Sequence, residues 1–355
     1  MWDFIEKGSQ IGQFGQAGWA THSFKCVFEA RRKLQAAYAK SHVDIDNIED
    51  LFATYEMARL IGHLADMDQE DVKQLPGNLR YFIMRTLEQS IRFPLYDGDI
   101  VGCPTPYDGF VELLVQMQSS RKLSPVVVIS FNYDLALDYA ITTRGLEIDY
   151  GLKPPTANKN AITLLKPHGS LNWAMNRLSR EIETTAVQVL PTASYRRRLG
   201  VYEPRWISID TMELLYGPDE WGSALRPEPL IVPPTWSKGE YQEMLKPIWC
   251  RASKVLGTAE NILVIGFSLA PSDQFFRSFF ALSTMSDSII DRFWLFDPSD
   301  IAARWQALCG PAISHRDRFR HETAIFSNAI VSLAKAFELN ETPIQGFLNR
   351  SSSYT

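Results

Sequence analysis

A histidine stands just past an apolar run in "AITLLKPHGSLNW" (Ala161–Trp173), with a glycine and a serine directly after it. Histidine ordinarily titrates near pH 6.5, so His168 can take or hold a proton near neutrality. "PVVVISFNYD" (Pro125–Asp134) sets Phe131, Asn132 and Asp134 behind a second apolar run. The Asn132 amide could bond a ribose hydroxyl or a carboxamide, and Asp134 has the spacing of a helix cap. "ILVIGFSLAPSD" (Ile262–Asp273) places Gly266, Phe267 and Ser268 behind a third run, and "FWLFDPSD" (Phe293–Asp300) places Asp297 behind a fourth. Glycine lets a ligand approach the backbone closely, a serine hydroxyl can donate to phosphate or ribose, and the helix starts that follow suit an anion.

These residues need a framework that brings them to one edge. Short, β-branched, continuously apolar runs suit strands buried on both faces of a parallel sheet. In such a sheet ligands bind beyond the carboxyl ends of the strands. A fifth strand end, in "EPLIVPPTWSK" (Glu228–Lys238), has the same composition. "TAVQVLP" (Thr185–Pro191) reads as a further strand, and Met175–Glu183 reads as a polar insertion. Each motif has a plain structural alternative. His168 could fill a turn, Asp134 could only cap a helix, and "GFSLAPSD" could be an ordinary strand–turn–helix connection with Pro271 and Asp273 opening the helix.

Residues before about 120 carry helical spacing instead. Helices are expected over Phe24–Lys40, over Asn47–Met67 with Asn47 as cap, from near Asn78, and over Tyr107–Ser120. Strands and helices then alternate, which implies right-handed βαβ units. The expected fold is α/β: a Rossmann-like, doubly wound parallel sheet with a helical N-terminal or inserted subdomain. The expected divisions are a helical segment over 1–120, the α/β domain over 121–340 and a flexible tail over 341–355.

Composition narrows the functions. No stretch approaches the apolar length of a membrane span, and "MWDFIEKGSQ" lacks an apolar signal core, so a cytoplasmic protein is expected. The 4 cysteines are scattered without a C-x-x-C pair, which fits a reducing compartment and argues against a zinc ribbon; no metal is expected. A net charge of −5 gives no general drive toward nucleic acid, and direct nucleic-acid binding is not expected. The arginine run "SYRRRLG" (Ser194–Gly200) is the one local reason to test for it. "GQFGQAG" (Gly12–Gly18) follows no strand and reads as a connector, not a dinucleotide fingerprint.

The strand-end motifs, in this order, resemble the sirtuin-like superfamily, and within it the bacterial anti-phage branch of NAD-degrading enzymes. "SFNYD" resembles that family's T-x-N-x-D element, "KPHGSLNW" its histidine–glycine element, "GFSLAPSDQFFRSFF" its G-[YF]-S-L-x-x-x-D segment and "LFDPSD" its last nucleotide-contacting strand end. "NIEDLF" is similar to a helix segment of the branch, and the likeness spans about residues 45–310. The resemblance implies cleavage of NAD to nicotinamide and ADP-ribose in abortive anti-phage defence. It assigns catalysis to His168 and Asn132. It assigns binding of NAD to Phe131, Asp134, Gly169, Ser170, Gly266, Phe267, Ser268 and Asp297. It also implies a homo-oligomer and a partner such as a translocase ATPase or an Argonaute-like sensor.

The chain departs from the family twice. It lacks the four zinc cysteines of the deacylases, and it shows no G-A-G-x-S loop before "MWDFIEKG". The resemblance then implies either that this phosphate loop lies upstream of Met1 or that it has been replaced. A catalytically impaired NAD or ADP-ribose sensor, or a scaffold subunit, is the alternative to an active enzyme.

Overall fold

Apolar residues recurring on one helix face, followed by short β-branched runs, give a mixed α/β chain. The computed structural model describes residues 5, 8, 19–35, 43–90, 92–96, 100–154, 158, 160–176, 181–184, 206–208, 225–232, 239–269, 273–285, 288–314 and 317–349. In chain order the elements are α1 (Trp19–Leu34), α2 (Ile48–Ile61), α3 (Gln69–Ser90), β1 (Arg92–Tyr96), β2 (Ile100–Val101), α4 (Tyr107–Ser119), β3 (Val127–Ile129), α5 (Ala136–Thr143), β4 (Glu147–Asp149), β5 (Ala161–Leu165), β6 (Gly169–Asn176), β7 (Ile182–Thr184), β8 (Trp206–Ser208), β9 (Leu225–Ile231), α6 (Gly239–Thr258), β10 (Asn261–Ile265), α7 (Gln274–Ser283), β11 (Arg292–Asp297), α8 (Ala302–Leu308), α9 (Pro311–Ser314), β12 (Phe319–Thr323), α10 (Phe326–Ala336) and α11 (Glu341–Asn349). Thr185–Pro191, Ser194–Gly200 and Gly12–Gly18 lie outside the described residues. Among the described residues no helix is long and apolar enough to cross a membrane.

Packing divides the chain into two units, and not at the boundaries read from sequence. Unit 1 comprises Met1–Gly102, Asn132–Leu135 and His168–Met244; unit 2 comprises Cys103–Phe131, Ala136–Pro167 and Leu245–Thr355. The helix Tyr107–Ser119 thus belongs with the parallel strands and not with the helices before it. Of the expected tail, residues 350–355 lie outside the described residues. Glu341–Asn349 is a helix with Ile344 fully buried, and Gly109 of α4, lacking a side chain, leaves the room that Leu348 occupies.

In unit 1, α1, α2 and α3 close on a core that includes Phe24, Val27, Tyr55, Leu75, Leu79 and Phe82. The Phe24 and Phe82 rings sit 5.1 Å apart, and the buried Tyr55 hydroxyl donates to the Val27 carbonyl at 2.8 Å. The third helix starts at Gln69, before the expected Asn78, and runs through Pro76. Proline removes one helical hydrogen bond. Burying Leu75, Leu79 and Phe82 along the same face offsets it, at roughly 1.5–3 kcal/mol per side chain. Glu70 and Asp71 add negative charge to the first turn, where the helix dipole favours it. The sheets of this unit are antiparallel, in the orders β2-β1-β8 and β7-β6-β9. This corrects the fifth strand end: β9 runs antiparallel to β6, so "PPTWSK" does not follow a parallel strand. Of the segment expected as a polar insertion, Met175 and Asn176 end β6, Ile182 and Glu183 open β7, and residues 177–180 lie outside the described residues.

Unit 2 holds the parallel strands. They form two three-stranded sheets, β3-β5-β4 and β10-β11-β12, with every pair parallel. α5 buries Leu137 and Ile141 against Ile162 and Leu164; α7 and α8 bury Phe276, Phe280 and Trp305 against Phe293 and Leu295. α4, α10 and α11 contribute Leu113, Met117, Ile330, Leu333 and Ile344 to a third cluster.

Two ion pairs pin the carboxyl ends of neighbouring strands. Lys166, directly after β5, bonds Asp138 of α5 at 3.0 Å, and both side chains are 1% exposed. The Tyr150 hydroxyl donates to the other Asp138 oxygen at 2.6 Å. At the end of β4, Asp149 takes a two-point contact from Arg251 of α6, with Nη1 at 3.0 Å from Oδ1, and accepts from the Gly151 N–H at 3.0 Å. Burial alone would raise the Asp149 pKa, but these bonds and the Arg251 charge outweigh it and hold the carboxyl below its ordinary value.

Breaking a buried pair strands a charge, whereas removing both partners does not. Lys166→Met is therefore expected to cost about 3–5 kcal/mol in denaturant unfolding, and Lys166→Met with Asp138→Leu to recover most of it. Asp149 has a depressed folded pKa, so its contribution is present above the unfolded value near 3.9 and fades as pH falls through the folded value. The stability gap between wild type and Asp149→Asn should thus narrow in melts taken below about pH 4.

Candidate functional site

The residues picked out by type and spacing fall into two groups, one in each unit. In unit 1 the asparagine loop and the histidine strand meet. The Tyr133 carbonyl accepts from the Leu171 N–H at 3.0 Å, and the Tyr133 hydroxyl donates to the Val232 carbonyl at 3.4 Å. The Tyr133 ring lies 6.1 Å from the His168 ring at 31°. Leu135 packs with Leu171, Ile231 and Met84 beneath this contact. Asn132, Asp134, His168, Gly169 and Ser170 are thereby gathered on one support.

Their exposures differ. Asn132 is exposed and Asp134 half-buried, while His168 is 7% exposed and Ser170 fully buried. The His168 backbone is fixed by its carbonyl, which accepts from the Val232 N–H at 2.8 Å. Gly169 has φ +90°, and a Cβ there would overlap the Leu230 carbonyl oxygen and lie 2.9 Å from its carbon. The glycine after His168 is therefore dictated by the close approach of β9, independently of any ligand.

In unit 2 the second group lines the carboxyl ends of parallel strands. Phe131 follows β3 and stacks on Phe267, which follows β10, with centroids 5.1 Å apart. The Gly266 N–H donates to the Phe296 carbonyl at 2.8 Å, which sets this turn beside Asp297 at the end of β11. Gly266 has φ +65° with open space where a side chain would stand. The loop is held from below: Trp305 Nε1 donates to the Phe267 carbonyl at 3.2 Å and Arg304 to the Ser268 carbonyl at 3.3 Å. Gly266 and Ser268 are exposed. Asp297 is buried, and one of its oxygens accepts from the Ser299 N–H at 2.8 Å. Asp273 caps α7 as its spacing implied, accepting from the Phe276 N–H at 3.0 Å.

Thiol chemistry fits poorly. Burial, aided by the Asp108 charge, pushes the Cys103 thiol up to about 12, and burial does the same to Cys309. Neither offers a thiolate near neutrality. The polar residues that sequence reading passed over are Lys166, Asp138 and Tyr150. The signal was there: Asp138 interrupts the apolar face that Leu137, Ala140 and Ile141 give to α5, and a carboxylate in that place needs a buried partner.

No protein-family model and no curated protein matches this chain.

The two glycines separate cleanly by experiment. Gly169→Ala must displace backbone and is expected to destabilise by roughly 2–4 kcal/mol. Gly266→Ala meets open space and should cost only about 1–2 kcal/mol for its left-handed backbone. Equilibrium denaturation of both variants measures the difference.

Proposed function

We propose that this chain is an NAD glycohydrolase with a sirtuin-like, Rossmann-type nucleotide-binding architecture, acting in anti-phage defence. One observation carries the reading most. The two motifs assigned to the nicotinamide-ribose end, Asn132–Asp134 and His168–Ser170, are joined through the bond from Leu171 to Tyr133 and the Tyr133–His168 ring contact. The motifs assigned to the phosphates and adenosine ribose, at Gly266–Ser268 and Asp297, lie on adjacent strand ends of one parallel sheet.

In this reading the bond between the ribose anomeric carbon and the nicotinamide nitrogen breaks, and its electron pair neutralises the pyridinium. Positive charge builds on the ribose, as in glycoside cleavage. Water adds to the anomeric carbon, and His168 takes the proton released, directly or through a ribose hydroxyl. The exposed Asn132 amide orients the water or the ribose. The low exposure of His168 keeps bulk solvent from its ring. Such an activity consumes a shared cofactor of its own cell, so we propose that it is gated by self-assembly or by a partner protein.

The same low exposure of His168 favours a second reading, a sensor that binds NAD or ADP-ribose without turnover. Chromatography of NAD incubated with the chain separates the two. The hydrolase reading expects nicotinamide and ADP-ribose in equal amounts, and a loss of about 10²–10⁴-fold in His168→Ala that keeps its circular dichroism. Turnover unaffected by that substitution removes His168 from catalysis. Calorimetric binding of NAD with no product supports the sensor, and neither binding nor product rejects both.

A further inference from the structure

Far along the chain from His168, three side chains of different chemistry converge at the solvent-facing edge of the helical core of unit 1. His22 and Cys26 are four residues apart on α1 and so share one face. Asp71 reaches them from the first turn of α3. His22 Nε2 lies 3.5 Å from Cys26 Sγ and 3.6 Å from Asp71 Oδ1, and Cys26 Sγ lies 3.7 Å from that same Oδ1. Each residue thus offers one atom to a single triangle.

The size of that triangle is informative. A tetrahedral zinc ion with usual bond lengths sets its ligand atoms about 3.6 Å apart for N and S, about 3.6 Å for O and S, and about 3.4 Å for N and O. The three observed edges differ from these by about 0.2 Å or less. The His22–Asp71 edge is longer than a nitrogen–oxygen hydrogen bond, near 2.9 Å, while the two edges to sulfur are also the lengths of thiol hydrogen bonds, Cys26 donating to Asp71.

We propose that His22, Cys26 and Asp71 form a binding site for a divalent transition-metal ion, with Zn²⁺ as its occupant. Thiolate, imidazole and carboxylate together are a donor set that zinc accepts and that calcium or magnesium does not. The helices that carry the ligands are already fixed. The buried Ser23 hydroxyl donates to Asn78 Oδ1 at 2.9 Å across α1 and α3, and Phe24 packs on Phe82. Little ordering is left for the ion to impose, which favours binding. Cys26 is 4% exposed and closes the inner side. The His22 side chain is 52% exposed and that of Asp71 35%, so the ion has an entry path and its fourth position faces water. Closed structural zinc sites use four protein ligands; three with an open position leave room for water or for a ligand atom from another molecule. The scattered cysteines had argued against a metal. The pattern that answers them is H-x-x-x-C on one helix with an acid from a helix remote in sequence.

The test uses the full chain stripped with a chelator and titrated with Co²⁺ as a spectroscopic substitute. The expected result is one equivalent bound, with a near-ultraviolet thiolate-to-cobalt band and visible bands of tetrahedral strength, all abolished by Zn²⁺. Cys250→Ser should keep the thiolate band, because that exposed cysteine is remote in sequence, and Cys26→Ser should lose it. His22→Ala and Asp71→Asn, both at solvent-reached positions, should keep native circular dichroism and weaken binding at least tenfold. Zn²⁺ should also raise the melting temperature of the wild type and not of His22→Ala. A wild-type chain with no thiolate–cobalt band overturns the proposal. So does a band that survives Cys26→Ser, or binding unchanged in both His22→Ala and Asp71→Asn.

Discussion

The carbonyl oxygen of Leu230 stands where a side chain of residue 169 would be. Only glycine leaves that space, and the approach it permits pairs β9 with β6 from Gly169 opposite Ile231. The pairing in turn presents the Val232 N–H to the His168 carbonyl and the Val232 carbonyl to the Tyr133 hydroxyl. The position of His168 is therefore a consequence of backbone crowding one residue later. A histidine on a freely turning loop keeps backbone freedom that the bond from the Val232 N–H removes here.

A second constraint lies just upstream, in unit 2. Lys166 carries a charge into a fully buried place, and a bare ammonium there would be prohibitive. Asp138 answers it from α5, and the Tyr150 hydroxyl, from the segment after β4, donates to the other oxygen of that carboxylate. One polar cluster thus correlates a strand end, a helix and a neighbouring strand end. Apolar packing between the same elements would tolerate small slips; a buried ion pair with satisfied geometry does not.

What could be read in the sequence follows from where the signal was local. The runs over Val127–Ile129, Asn261–Ile265 and Arg292–Asp297 are strands because their own residues are apolar and β-branched or aromatic on both faces. The Asp273 cap is equally local. The direction of β9 was not, since pairing depends on which strand can approach Gly169. The start of α3 was misplaced because proline weighs heavily in a local reading, while the burial of Leu75 and Leu79 that overrides it is tertiary. The meeting of Asn132–Leu135 with His168–Leu171, and the triangle of His22, Cys26 and Asp71, both join segments remote in sequence. Spacing names such residues as candidates and cannot say that they touch.

The two units are each assembled from three stretches of chain, with the Asn132–Leu135 stretch only a few residues long. Neither unit can be excised as one continuous fragment. During synthesis, unit 1 stays incomplete until residue 244 has emerged, by which time two stretches of unit 2 are already made and still lack α6 and β10–β12. Closing contacts over such spans is entropically slow, and unpaired strand edges stay open meanwhile. The interleaving thus means that any piece holding all of one unit also carries stretches of the other, and that a half-made chain exposes surface its remaining stretches would cover.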